Sequence, residues 1–166
     1  FFFNGNQNIN LGGFFNYHLQ NISFFSEWTR TIGAGNAMVA GLIASLTHKL
    51  DVVLHYRNFN RDFYSFYSNA FAENSTPQNE RGIYWGWKYT FNKKYSIAGY
   101  ADTFVFPWLK FRSYSPSEGS EWLIRFNYRP SKTVALFLQF REETKQRNTS
   151  DDINLYQTSL GTRRNY

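Results

Sequence analysis

The run Ile83-Tyr84-Trp85-Gly86-Trp87-Lys88-Tyr89-Thr90-Phe91 alternates large apolar or aromatic residues with small or polar ones. A period of two is the mark of a β-strand whose faces meet different surroundings, because successive side chains point to opposite sides of the sheet. The alternation returns in Trp122-Leu123-Ile124-Arg125-Phe126-Asn127-Tyr128 and in Val134-Ala135-Leu136-Phe137-Leu138-Gln139-Phe140-Arg141. The apolar side of each run is too bulky to stand in water. Whatever this chain folds into must cover it.

Composition narrows the choice of cover. Aromatic residues are 21% of the chain, yet mean hydropathy is −0.53. A soluble β-sandwich or lipocalin-like barrel fills its interior with aliphatic residues and turns a charged face outward. Here aliphatics are scarce and aromatics dominate. Aromatic enrichment beside a polar average fits a transmembrane β-barrel, whose strands present an apolar band to lipid, aromatic girdles at the interfaces and a polar interior. No stretch approaches the roughly 18 to 20 consecutive apolar residues of a membrane helix. A closed barrel is the other way to satisfy backbone groups in lipid. With no cysteine, disulfide frameworks and thiolate metal sites are excluded.

Strand candidates fall at about 8–19, 21–31, 37–46, 50–59, 81–91, 95–111, 121–129, 132–144 and 153–164. Short connections near 19–21, 47–49, 92–94 and 129–132 alternate with mostly longer ones at 33–36, 60–80, 113–120 and 146–152. That rhythm predicts an antiparallel up-and-down transmembrane β-barrel, with tight periplasmic turns and longer outer loops. About nine strands is an odd count, whereas bacterial single-chain barrels have an even one. The chain opens on Phe1-Phe2-Phe3 with neither methionine nor signal peptide, and Leu160, Thr162 and Arg164, counted back from Tyr166, make a poor closing strand. We therefore expect part of a longer chain, with the missing strands outside this sequence.

Parity assigns the faces. Val52, Leu54 and Tyr56 oppose Asp51, His55 and Arg57, and Trp85 and Trp87 oppose Gly86 and Lys88. Extended along the chain, this predicts lumen-facing Glu27, Arg57, Lys88, Asp102, Arg125, Arg141 and Glu143. The predicted lipid-facing or girdle residues are Trp85, Trp87, Trp108, Trp122, Ile124 and Leu136. Strands 37–46 and 153–164 have small residues on both parities and are less decisive. Charges of mixed sign pair across and plug a narrow barrel, or line an aqueous path through a wide one.

Catalytic and metal chemistry find little support. His48 and His55 lack a third ligand nearby, and Asp151-Asp152 is read as a solvated loop tip. His18, Ser23 and Glu27 are close in sequence without an evident nucleophile, base and orienter. Gly33-Ala34-Gly35 lacks the rest of a phosphate loop and reads as a turn. The net charge of +6 draws anionic partners, but the basic residues form no single stripe that would mark a nucleic-acid platform. Neither a cofactor nor a catalytic activity is expected.

The tract from Tyr64 to Tyr84, the run Gly99 to Arg112, Ser115-Pro116-Ser117-Glu118-Gly119 and Tyr128-Arg129-Pro130-Ser131-Lys132 together carry a family likeness. Over about 50–145 the chain resembles the β-barrel region of Bacteroidota outer-membrane proteins of the helix–hairpin–helix, or ComEA-like, type. The resemblance implies an outer-membrane anchor or scaffold in a Gram-negative envelope, in contact with lipid, lipopolysaccharide and other envelope proteins. DNA would be met only by helix–hairpin–helix repeats, which are absent from this sequence. The resemblance makes the external 60–80 loop and Phe106-Pro107-Trp108 the distinctive parts. Pro107 should mark a strand edge or rim, since it donates nothing to a ladder. A transport pore is the first alternative, followed by a membrane hydrolase and a soluble ligand-binding barrel.

Overall fold

The computed structural model describes residues 3–110, 113–148 and 158–165. Nine strands follow one another: β1 (Asn10–Leu19), β2 (Ile22–Thr31), β3 (Asn36–Thr47), β4 (Leu50–Phe59), β5 (Glu80–Thr90), β6 (Tyr95–Phe106), β7 (Ser117–Tyr128), β8 (Leu136–Asn148) and β9 (Thr158–Asn165). Each pairs antiparallel with the next, giving one sheet in sequence order. The fold is all-β and up-and-down, with no helix among the described residues. β1 and β9 are its two edges and do not pair with each other.

Local chemistry closes the hairpins at one end. Gln20 takes a positive φ of 51° in the two-residue turn between β1 and β2. Thr47 Oγ1 accepts the N–H groups of Lys49 and Leu50 at 3.2 and 3.1 Å, and Asn92 Oδ1 accepts those of Lys94 and Tyr95 at 2.8 and 3.1 Å. Such side chains replace the backbone acceptor a tight turn leaves missing. At the other end Gly33, with φ 77°, turns the chain between β2 and β3.

Three boundaries differ from the sequence expectation. β6 stops at Phe106 rather than near 111, because Pro107 has no N–H to extend the ladder. β7 starts earlier, at Ser117, whose partner is Phe106. β8 runs 136–148 instead of 132–144. Ser131 Oγ accepts the Val134 N–H at 3.2 Å and draws 131–135 into the turn, so this connection spans 129–135 and is not a tight one. Residues 153–157 of the last expected strand, and Asp151-Asp152, lie outside the described residues.

Antiparallel partners share a face, so the register sorts the side chains. Glu27, Arg57, Lys88, Asp102, Arg125, Arg141 and Glu143 stand on one face, and Trp85, Trp87, Trp122, Ile124 and Leu136 on the other. In β1–β7 the second face carries charge only at Arg30, Arg81 and Glu118, all near the long-loop ends. Among the described residues nothing packs over it: Trp85 is 52% exposed, Leu136 57% and Leu138 75%. Gly99 lets the Trp87 ring lie across its neighbour, since a Cβ there would stand 3.1 Å from that ring. Tyr95 and Tyr128 stack at 4.8 Å near the hairpin end of the same face. The pattern fails in β8 and β9, where Glu142 and Arg164 sit on this face and bond each other at 2.7 Å.

The small core lies on the opposite, charged side. Ala37, Phe59 and Phe63 are buried together, with Val39, Ala70 and Ala72 against them. Phe63, Ala70 and Ala72 belong to 60–79, which folds back over the charged face instead of standing clear of the sheet.

Candidate functional site

Beneath this cover Arg57 is fully buried, and its charge is met by two carboxylates. Nε donates to Glu80 at 2.6 Å, while Nη1 and Nη2 donate to the two oxygens of Asp102 at 2.9 and 3.1 Å. The sheet makes room for it. Gly82, the register partner of Arg57, would place a Cβ 2.6 Å from the guanidinium carbon, so any larger residue would push the guanidinium out of its position between the carboxylates. The Phe71 ring of the cover lies 5.4 Å from that carbon.

Glu80 holds the cover as well as the arginine. Its oxygens accept the backbone N–H groups of Glu73 and Asn74 at 2.9 to 3.1 Å. Next in sequence, Asn79 takes a positive φ of 54° and clasps the following loop. Its Oδ1 accepts the Trp108 N–H at 2.9 Å, and its Nδ2 donates to the Trp108 and Leu109 carbonyls. Gln78 Nε2 donates to the Phe63 carbonyl, and Asn8 and Asn10 both donate to that of Tyr64. The cover is thus tied to β1, to β5 and to the loop after β6.

A second charge chain continues across β7 and β8. Glu121 accepts from the Tyr100 hydroxyl and from Arg141, the latter at 2.5 Å. Lys145 bridges Glu143, at 2.5 Å, and Glu73 of the cover. Phe104 and Phe106 are buried beside this chain, and Phe104 lies across Gly119, where a Cβ would meet its ring at 2.5 Å. Lys110, in the loop after β6, sets its ammonium 3.2 Å from the Phe106 ring centre. Burial, and then the Lys145 charge, bring its pKa down to about 8.

The structure separates the predicted site residues into three groups. Arg57 and Asp102 meet directly, and Arg141 and Glu143 belong to the adjoining chain. Lys88 and Arg125 share the charged face but lie at the hairpin end, away from the cover. Glu27 lines a cavity of about 380 Å³ under the cover, with Thr29, His55, Ser65, Ser68 and Asn69. Trp108 stands apart from the other tryptophans, beyond β6, with Arg61 over its ring at 4.7 Å. Sequence reasoning missed Glu80, Glu121 and Lys145. Glu80 fell in the tract read as loop and Lys145 just past the expected strand end at 144, and strand parity was silent at both.

Two catalytic readings gain little. His18 and Ser23 are register partners, and Nδ1 lies 2.8 Å from Oγ, a proximity the sequence did not reveal. Glu27, four residues along β2 and roughly 13 Å away, is too distant to orient the imidazole. Among the described residues no three histidines, cysteines or carboxylates gather into a metal site. Comparison with family models, with curated proteins and with solved structures finds no match.

Two outcomes follow from this geometry. Glu80→Gln leaves Arg57 paired with Asp102 alone and replaces the charged acceptor of the Glu73 and Asn74 N–H groups by a neutral amide, weakening the tie to 73–74. The expected loss is about 1.5–3 kcal/mol, the range for weakened hydrogen bonds to a charged group, seen as protease cutting within 60–79 under conditions where the parent resists. The second concerns pH. With a folded pKa near 8 against an ordinary 10.5 for Lys110, the unfolded chain holds more protons between those values. Stability therefore rises with pH across that window. Unfolding curves of the parent and of Lys110→Met should differ in slope there, the variant lacking the rise.

Proposed function

We propose that these nine strands are part of an outer-membrane β-barrel acting as an anchor or scaffold, with hydrocarbon against the face of Trp85, Trp87, Ile124 and Leu136. The observation that carries this reading is the bare apolar face. A continuous run of exposed aromatic and aliphatic side chains, without a charge across the middle of β1–β7, demands a partner that is itself apolar. A bilayer supplies one. The tyrosines near the hairpins and Trp28, Tyr56 and Trp122 toward the other end stand where the aromatic girdles of a barrel belong.

In this reading the charged face lines the lumen, and 60–79 is an outer loop folded inward to fill it. The interlocked charges and the small apolar core of the cover favour a closed lumen over an open one. The likeness to ComEA-like Bacteroidota proteins is compatible with the same role. Any DNA contact would belong to repeats outside this sequence, and the full reading frame is the test of that part. A transport pore draws on a different observation, the open hairpin end of the charged face, where Lys88 and Arg125 line a groove that the cover does not reach.

Planar-bilayer recording separates the two. An anchor with a filled lumen stays silent, whereas steady unitary conductance supports the pore. Flotation with outer-membrane vesicles, and release only by detergent, tests the membrane reading itself. Trp85→Arg should cost about 2–4 kcal/mol of stability in lipid vesicles, the penalty for a cation near the bilayer midplane. Lys88→Arg, on the other face, should cost far less; equal effects from the two would refute the assignment of faces.

A further inference from the structure

The charged face is divided into two unlike halves. Under the cover, Arg57, Arg141 and Lys145 each meet a carboxylate. At the hairpin end, Lys88, Lys93, Lys94, Arg125 and Arg129 line one groove of about 420 Å³, and among the described residues none of them forms a salt bridge. The nearest acid by register, Asp51 beside Lys88, accepts a hydrogen bond from Ser45 at 2.7 Å instead of pairing with the lysine.

Exposed lysines alone make no site, but this groove has a floor and a fixed donor. Lys88 and Arg125 occupy one register row with Ala98 between them. Two strand spacings set their Cα atoms about 10 Å apart, and the small alanine leaves the interval open. The next row toward the hairpins is Thr90, Ser96 and Asn127, which offer hydroxyls and an amide. Arg125 is held in place from two sides: Nε donates to Asn127 at 3.1 Å, and the guanidinium lies 4.0 Å from the Phe137 ring centre. Its Nη groups bond no acceptor among the described residues. A fixed guanidinium edge is suited to two oxygens of one phosphate, and a lysine across the gap adds a point charge.

We propose that this groove binds a phosphate-bearing anion, seated over Ala98 between the Lys88 ammonium and the Arg125 guanidinium. The anion removes the mutual repulsion of five cations and uses the donors that the fold leaves unoccupied. A multivalent oligophosphate and the headgroup of an anionic lipid carry the same chemistry. The inference needs only the sheet and its hairpins, so it stands independently of the anchor reading.

The test uses the full chain in non-ionic detergent at low salt, titrated calorimetrically with sodium tripolyphosphate. In parallel, its association with phosphatidylglycerol vesicles is compared with that for phosphatidylcholine vesicles. Saturable binding to at least one probe is expected, weakened by about tenfold or more in Lys88→Gln/Arg125→Gln, as loss of charge-assisted hydrogen bonds requires. Ala98→Leu, which fills the gap without altering charge, should also weaken it. Lys49→Gln/Lys132→Gln removes equal charge at the same end but outside the groove, and should leave binding within about twofold. Loss with tripolyphosphate assigns a soluble anion, and loss confined to phosphatidylglycerol assigns a lipid headgroup. The proposal is overturned if neither probe distinguishes Lys88→Gln/Arg125→Gln from the parent, or if the charge-matched variant loses as much.

Discussion

The covered half of the charged face depends on the burial of Arg57. A guanidinium removed from water is costly unless opposite charge and hydrogen bonds surround it. Here β5 and β6 supply one carboxylate each, and Gly82 leaves the space in which the three groups meet. Two carboxylates against one cation leave a surplus of negative charge. Glu80 spreads that surplus onto the N–H groups of Glu73 and Asn74. The electrostatic requirement of a strand residue thereby fixes the path of a loop. The cover is an outcome of neutralising the sheet, and the Phe63 cluster adds apolar contact to a position that charge has already chosen.

The two faces solve opposite problems. One has charge and brings its own chain back to compensate it. The other has aromatic and aliphatic bulk, and among the described residues no segment lies over it. A hydrophobic surface of that kind gains stability in proportion to the area withdrawn from water, and the sheet withdraws little of it unaided. The core formed by the cover is too small to replace that gain. The environment is thus part of the fold, which is why the face of Trp85 and Leu138 bears more on function than any cleft in the molecule.

Much of this was readable in the residues. Strict alternation gave the faces of β4, β5 and β7, because in those strands each side meets a single kind of surroundings. β3 was ambiguous for a physical reason. Its charged-side positions Ala37 and Val39 lie under the apolar part of the cover, so both of its faces are apolar or small. The last strand was ambiguous because small residues stand on both its parities, and the pairing of β8 with β9 adds Glu142 and Arg164 to the otherwise apolar face. The cover itself was visible only as an unusual loop. Within it Phe63 is buried while Tyr67, an aromatic of the same loop, is fully exposed. Parity cannot show which loop residue meets a carboxylate two strands away, so the partners of Arg57 emerged only from the pairing of β4, β5 and β6.

The meander of nine strands also fixes a rule about its borders. In an up-and-down sheet each strand reverses the last, so the first and ninth point the same way. Zipped directly to each other, these borders would have to adopt the slanted hydrogen bonds of a parallel ladder. A cylinder that keeps every seam antiparallel requires an odd number of interposed strands, whoever contributes them. A single hairpin, which adds two, leaves the mismatch in place.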